Sequence, residues 1–237
     1  MCDCEQRHKL LALGVMAEDG LQVPAASVAR LPLYLRCLEA LCAGGVATVS
    51  SSRLAELAGV NAAKLRKDLS HLGSYGTRGV GYEVINLTHE IQRELGLDEQ
   101  SPVIVVGLGN LGQALAKHGG FGDRGFPIVA LFDVQPDIVG MQIGDLVVAH
   151  FDDLAGIVAH YKARTAIIST PADAAQQVTD DVIAAGITSV LNFAPTVVQV
   201  GEGVALRQVD LALELQILSY YQPRSDSERD TKLRLSV

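Results

Sequence analysis

Three glycines and one aspartate have the types and spacing to bind a dinucleotide. In VIVVGLGNLG, Gly107, Gly109 and Gly112 follow an apolar run and open a stretch of helical composition; Asp133 stands twenty-one residues beyond the last of them. The first glycine permits a tight turn, the second lets backbone approach a pyrophosphate, and the third lets helix and strand pack closely. Asn110 and Leu111 complete the loop, and the helix start offers unpaired N–H groups to phosphate oxygens. An acid at the end of the next strand accepts hydrogen bonds from both adenosine ribose hydroxyls and repels a 2′-phosphate, so Asp133 favours NAD(H) over NADP(H).

A second chemistry lies upstream. Lys64, Arg66 and Lys67 crowd one short helical stretch, and Arg78 follows in a Gly-rich segment with Tyr75 and Tyr82 on either side. A helix of this kind fits the major groove of a duplex, and a basic hairpin reaches the flanking phosphates. Ser70, Tyr75, Thr77 and Arg78 are the expected backbone or minor-groove contacts. The charge map agrees. Residues 26–82 hold seven Lys or Arg against three acids, a net of +4 in a chain of formal net charge −8, so the remainder carries −12. A basic module on an acidic body is a nucleic-acid footprint.

These groups need a frame to hold them. From Ser27 to about Ala43, apolar residues recur at helical spacing, with Pro32 able to divide a first turn from the main helix. Gly44-Gly45 ends it, Ser50-Ser51-Ser52 offers caps for a short helix, and Gly59-Val60-Asn61 turns into a third helix at 62–72. Helix, helix, tight turn, helix is a helix-turn-helix, with 62–72 as the recognition helix and 73–82 as a two-stranded wing. Short Val/Ile/Leu-rich runs at 103–106, 127–132, 146–149, 165–169 and 188–193 alternate with helical stretches near 111–118, 152–161 and 172–185. That alternation predicts a parallel sheet covered on both faces, a Rossmann-type doubly wound α/β fold. The expected organisation is a flexible tail over 1–24, a winged-helix domain over 25–83 and a linker helix over 84–100. A Rossmann domain over 101–210, a C-terminal helix over 211–222 and a disordered tail over 223–237 follow.

In such a sheet the loops after the later strands border the nicotinamide half of the cleft. Here they read Thr170-Pro171-Ala172 and Asn192-Phe193-Ala194, of low polarity, and a water-poor pocket disfavours the cationic ring of NAD+ relative to NADH. No catalytic set accompanies them: His118, His150 and His160 lack an orienting carboxylate at close spacing, and no Ser/His/Asp order, HExxH or Walker pattern is present. The expected protein is therefore a regulator rather than an enzyme. Two alternatives stay open: an NAD-dependent oxidoreductase with an accessory N-terminal domain, and a nucleotide-binding interaction module. The composition, 49% hydrophobic and 19% charged, suits a packed core. No apolar run reaches the roughly 20 residues of a membrane span, and a cytoplasmic, non-membrane location is expected. Cys2 and Cys4, and Cys37 and Cys42, lack structural-zinc spacing, so no metal site is expected.

Several blocks together resemble the Rex family of bacterial redox-sensing transcriptional repressors. They are VARLPLYLR (28–36), KLRKDLSHLGSYGTRGVGY (64–82), VGLGNLG (106–112), GGFGDRGF (119–126), LNFAPTVV (191–198) and VDLALELQILSY (209–220). The resemblance runs from about Pro24 to Gln222. It implies a homodimer whose winged helices bind an inverted-repeat operator in double-stranded DNA, released when NADH binds, with NAD+ competing. It also implies that the C-terminal helix, here 211–221, is exchanged between subunits and serves dimerisation. Arg36 and Asp210 match an interdomain ion pair, and His118 stands where some relatives carry a switch tyrosine; Leu211 replaces an aromatic seen in some.

Overall fold

Pro32 divides the first helical stretch: α1 (Ala25–Val28) is a single turn, and α2 (Leu31–Ala43) restarts with Pro32 in its first turn, where the missing N–H costs nothing. The computed structural model describes residues 23–73, 76–77 and 79–221. The tails expected at 1–24 and 223–237 fall, apart from Val23 and Pro24, outside the described residues, as do Tyr75 and Arg78. The chain separates into a first unit ending at Gln100 and a second beginning at Ser101.

In the first unit β1 (Thr48–Val49) leads into α3 (Ser51–Leu57), whose start is capped by Ser50 accepting from Arg53 N–H at 3.1 Å. Gly59, at φ +64°, makes the turn into α4 (Ala62–Ser70), capped by Asn61 accepting from Ala63 N–H at 2.7 Å. β2 (Gly76–Thr77) and β3 (Gly81–Glu83) pair antiparallel, and β1 adds to the far edge of β3 in the order β1-β3-β2. The wing is thus three-stranded, not two-stranded. Two residues are too few to show the period-2 signal from which a strand is recognised. The segment expected as a linker helix is a core element: α5 (Val84–Glu94) buries Val84, Leu87 and Ile91 in one cluster with Leu31, Tyr34, Leu38, Leu54, Leu65 and Leu69.

The second unit is a sheet of β4 (Val103–Val106), β5 (Ile128–Asp133), β6 (Gln142–Ile143), β7 (Leu146–His150), β8 (Thr165–Ile168), β9 (Ser189–Asn192) and β10 (Ala205–Gln208). Its order is β10-β9-β8-β4-β5-β7-β6, parallel throughout except for the edge hairpin of β6 with β7. Alternate β4 residues serve opposite cores. Ile104 and Val106 face a cluster with Leu154 and Val158 of α7 (Leu154–Tyr161) and Val182 of α8 (Ala175–Ala184). Val103 and Val105 face one that Leu115 and Ala116 of α6 (Asn110–Ala116) pack against. Strand order therefore reverses at β4, the doubly wound Rossmann arrangement, with a ligand crevice beyond the carboxyl ends of β4 and β8.

A last helix, α9 (Leu211–Tyr220), buries none of its residues. Leu211, Leu213, Leu215, Ile217, Leu218 and Tyr220 are all more than half-exposed. Among the described residues no helix is long and apolar enough to cross a membrane, and no group of three His, Cys, Asp or Glu is placed to hold a metal.

Candidate cofactor cleft and nucleic-acid interface

The glycine loop leaves β4 where the strand order reverses. Gly107 has φ +89°, and a Cβ there would lie 2.8 Å from the Ser169 carbonyl group. At Gly112 a Cβ would fall 1.9 Å from the Gly107 carbonyl oxygen, so α6 packs against the loop only because that side chain is absent. Ser169 ties the two strand ends together, its N–H donating to the Val106 carbonyl at 2.9 Å and its hydroxyl to the Gly107 carbonyl at 2.8 Å.

Gly109 differs from both. Its backbone is extended (φ −65°, ψ −170°), a conformation open to any residue, and a Cβ there would meet nothing within 4 Å. Among the described residues nothing calls for glycine at this position. Helix α6, with Gly109 as its N-cap residue, has no side-chain cap, unlike α4 and α9, which leaves its first-turn N–H groups without a side-chain partner beside the exposed Asn110 and Leu111. Beside Gly107 the Thr170 hydroxyl oxygen is buried without a hydrogen-bond partner among the described residues. Pro171 and Ala172 beside it are exposed. An open cradle, free N–H groups and an orphaned hydroxyl fit a phosphate-bearing ligand in extended form.

Asp133 ends β5 and is 8% exposed. One carboxylate oxygen accepts from Leu108 N–H at 2.6 Å, and the other from Val134 and Gln135 N–H at 2.8 and 2.9 Å. It thus braces the glycine loop from the position expected for a ribose contact; Oδ1 already accepts two hydrogen bonds, and Oδ2, which accepts one, retains a lone pair for a further donor.

Asn192, expected among the cofactor contacts, faces the interior. It is fully buried, and its side chain holds the loop that follows: Nδ2 donates to the Thr196 carbonyl at 3.0 Å and Gln208 Oε1 at 2.8 Å, while Oδ1 accepts from Ala194 N–H at 2.9 Å. Gln208 closes the set by donating to the carbonyls of Ala194 (3.0 Å) and Thr196 (3.1 Å). Ala194 is 1% exposed, and Phe193 packs partly buried against the core below the glycine loop. Gln208 had no signal in the sequence, being one polar residue in a short edge strand.

In the first unit, α4 buries Leu65, Asp68 and Leu69 and exposes Lys64, Arg66, Lys67 and Ser70. The three cations share one side of a helix whose other side is core, as groove recognition requires. Arg66 reaches back toward the Ser51 hydroxyl at 3.4 Å, the Ser70 hydroxyl donates to the Lys67 carbonyl at 2.7 Å, and Thr77 is exposed on β2.

Asp68 is one of the three acids of residues 26–82. Its carboxylate, 2% exposed, accepts from Ser27 Oγ at 2.8 Å, Arg30 Nε and Nη2 at 2.6 Å each, and Tyr34 Oη at 2.7 Å. Burial alone would push this carboxyl up; the hydrogen bonds from Arg30, Tyr34 and Ser27 outweigh it and hold it at about 2. Burial, with the Asp68 bond next, pushes the Tyr34 hydroxyl up to about 12. Arg30 is therefore paired within the fold, which leaves six of the seven cations of residues 26–82 outside this network. A buried acid at the 65/68/69/72 face of an otherwise amphipathic helix was the available clue.

Arg36 is exposed on α2 of the first unit. In the second, His118 is exposed and stacks edge-on against Phe121 at 4.9 Å, and Asp210 caps α9 by accepting from Ala212 and Leu213 N–H at 2.9 and 3.3 Å.

Comparison with known proteins places these two units in one context. Residues 22–70 match the family described as "Putative DNA-binding protein N-terminus", and residues 98–196 the "CoA binding domain" family. The chain is 56% identical over 206 residues, 87% of its length and 80% of the relative's, to a redox-sensing transcriptional repressor Rex from Streptomyces coelicolor. It is 44% identical over 208 residues, 88% of this chain and 98% of the relative, to one from Pelotomaculum thermopropionicum. A crystal structure of RSP with β-NAD+ and operator DNA superimposes with a TM-score of 0.83 at 35% identity, covering 92% of this chain and 99% of that one. RSP in complex with β-NADH gives 0.76, at the same identity, over 89% and 97%.

Proposed function

Because this chain belongs to the Rex family of redox-sensing transcriptional repressors, we propose that it is a homodimer that represses by binding an inverted-repeat operator and lets go when NADH binds. The observation that carries the cofactor half is Gly109, a glycine that the fold itself does not need, beside uncapped helix N–H groups. In this reading the N–H groups of Gly109, Asn110 and Leu111 hold the pyrophosphate. Gly107 and Gly112 shape the loop, and Asp133 takes the adenosine ribose while bracing Leu108. Thr170, Pro171, Ala172 and Phe193 border the nicotinamide, with Asn192, Ala194 and Gln208 holding their loop. Bound there, the dinucleotide supplies a ring that is cationic when oxidised and neutral when reduced. The protein's part is to exclude water around that ring, so that one charge decides affinity. NAD+ competes for the site without the same effect.

On the nucleic-acid side, Lys64, Arg66 and Lys67 contact phosphates and base edges from α4, and Ser70, Tyr75, Thr77 and Arg78 contact the backbone from the helix end and the wing. The six large apolar side chains of α9 are better covered by a second copy, which makes 211–221 the dimerisation helix. Arg36, His118 and Asp210 occupy the positions that the family resemblance associates with the ligand-sensitive switch. Repression of transcription puts the protein in the cytoplasm, and the role is regulatory, with no turnover of the dinucleotide.

A ligand shifts a two-state equilibrium only by its differential affinity for the two states. A complete swing from bound to free requires about 10⁴-fold discrimination, roughly 5.5 kcal/mol. The test is an operator gel-shift titration run in parallel with NADH and NAD+. Release at lower concentration by NADH is expected; equal responses refute redox sensing. The match of 98–196 to a coenzyme A-binding family favours one second reading, a coenzyme A-responsive module. Displacement of NADH by coenzyme A at comparable concentration would favour it.

A further inference from the structure

We propose that Asp68 is a positioning residue for operator recognition: its buried carboxylate, gripped by Ser27, Arg30 and Tyr34, sets the rotation at which α4 presents Lys64, Arg66 and Lys67. The inference rests on the operator-binding reading and adds a residue that touches no DNA.

The apolar face of α4 does not fix that rotation by itself. Leu65 and Leu69 are buried among aliphatic side chains, and such packing is non-directional, so a helix turned slightly about its axis loses little. Directional bonds remove that freedom. Arg30 addresses the carboxylate with two nitrogens, one to each oxygen, in the fork geometry that restricts both distance and plane. The Ser27 and Tyr34 hydroxyls then bond the same two oxygens, one apiece. The three partners come from α1, from the residue joining α1 to α2, and from the first turn of α2. The N-terminal helices and the recognition helix are locked to one another at a single point.

Stability is a poor reason for this network. A buried ion pair seldom outperforms well-packed apolar residues of the same volume, because removing both charges from water costs so much. A fully satisfied polar network does specify one arrangement among several of similar packing energy. An acid on a phosphate-facing helix would also oppose binding. Pairing it with Arg30 on the core side leaves the exposed side uniformly cationic.

Electrostatics and positioning predict opposite signs, which makes the test sharp. Asp68→Asn removes a negative charge from the basic unit, which by charge alone tightens binding to any DNA. If Asp68 positions the helix, Asp68→Asn weakens operator binding by about tenfold or more, while affinity for non-operator DNA is unchanged or greater. The slope of log affinity against log salt stays as in wild type, since no phosphate contact is lost. Tyr34→Phe, which deletes a single hydroxyl, moves the specific-to-nonspecific ratio in the same direction by a smaller factor. Both variants are measured as full-length dimers, with NADH affinity and the thermal melt as controls for an intact fold. Operator binding by Asp68→Asn as tight as wild type, or tighter, overturns the proposal. If Asp68→Asn fails to fold, Tyr34→Phe decides: a wild-type ratio with an intact melt overturns it. A wild-type protein that does not distinguish operator from random DNA would instead refute the operator reading on which this rests.

Discussion

Replacing Gly109 by alanine separates the fold's needs from the ligand's. The backbone at Gly109 is extended, and the added Cβ meets nothing within 4 Å. The protein without ligand should therefore fold as before, and restricting the unfolded chain should add about 0.4–1 kcal/mol of stability. The same change at Gly112 is the contrasting control, since its Cβ would fall 1.9 Å from a backbone oxygen and α6 would have to move. With NADH the expectation reverses. A methyl group in the cradle displaces the pyrophosphate from at least one N–H, and a charge-assisted hydrogen bond contributes about 1.5–3 kcal/mol. That corresponds to roughly 10- to 150-fold weaker binding. Thermal melts read both halves at once. At a concentration 100 times the wild-type Kd, NADH stabilises the native protein by about 2.7 kcal/mol; a variant binding 100-fold more weakly keeps only about 0.4 kcal/mol. For a chain of this size the NADH-induced rise in Tm should shrink from roughly 5–10 °C to about 1 °C. NADH affinity within about twofold of wild type would refute the inference from the open cradle to the pyrophosphate. A clear fall in Tm without ligand would refute the claim that the space is free.

Four other outcomes are expected. Lys67→Ala should weaken operator binding and reduce the salt slope by about one if the side chain meets a phosphate, or cost about 1–3 kcal/mol at one base position if it meets a base edge. Asp133→Ala should weaken NADH binding and narrow its preference over NADPH, measured by calorimetry. It should also lower Tm, because Leu108 N–H loses its partner in the core, at a cost of about 1–3 kcal/mol. Leu215→Glu, in the middle of the exposed face of α9, should shift sedimentation from dimer toward monomer; burial of such a side chain is worth about 1.5–3 kcal/mol per subunit. Acid titration should expose Asp68: its folded-state pKa of about 2 lies below the ordinary carboxylate value, so its contribution is fully present above about pH 4 and disappears as pH falls toward 2. Asp68→Asn should remove that portion, about 2 kcal/mol, from the acid limb of the stability curve.

Chain-local signals carried much of the fold. VIVV and TAII, wholly or largely buried, announce strands enclosed on both faces, and β4 and β8 occupy the runs where they were expected. Gly107, Gly109 and Gly112 fall within six consecutive residues that turn β4 into α6, a pattern defined by spacing alone, so they too were readable. The boundary of α2 was open only to the extent that Pro32 permitted either a kink or a break. Strand β1 was hidden because Thr48–Val49 has no pattern until β3 is there to pair with it.

The sequence by itself determined the alternation of elements, the place of the glycine turn, the acid at the end of β5 and the cluster of cations on one helix. Each of these is stated within a few consecutive residues or within one helical period. Only the tertiary structure decided which polar groups face inward. The partners of Asp68 lie 34 to 41 residues away, and Asn192 meets Gln208 across sixteen. A carboxylate or amide looks the same in sequence whether it faces a ligand or the core. Its role is fixed by which donors the folded chain brings within about 3 Å and by whether water can reach it, and neither is a property of local sequence.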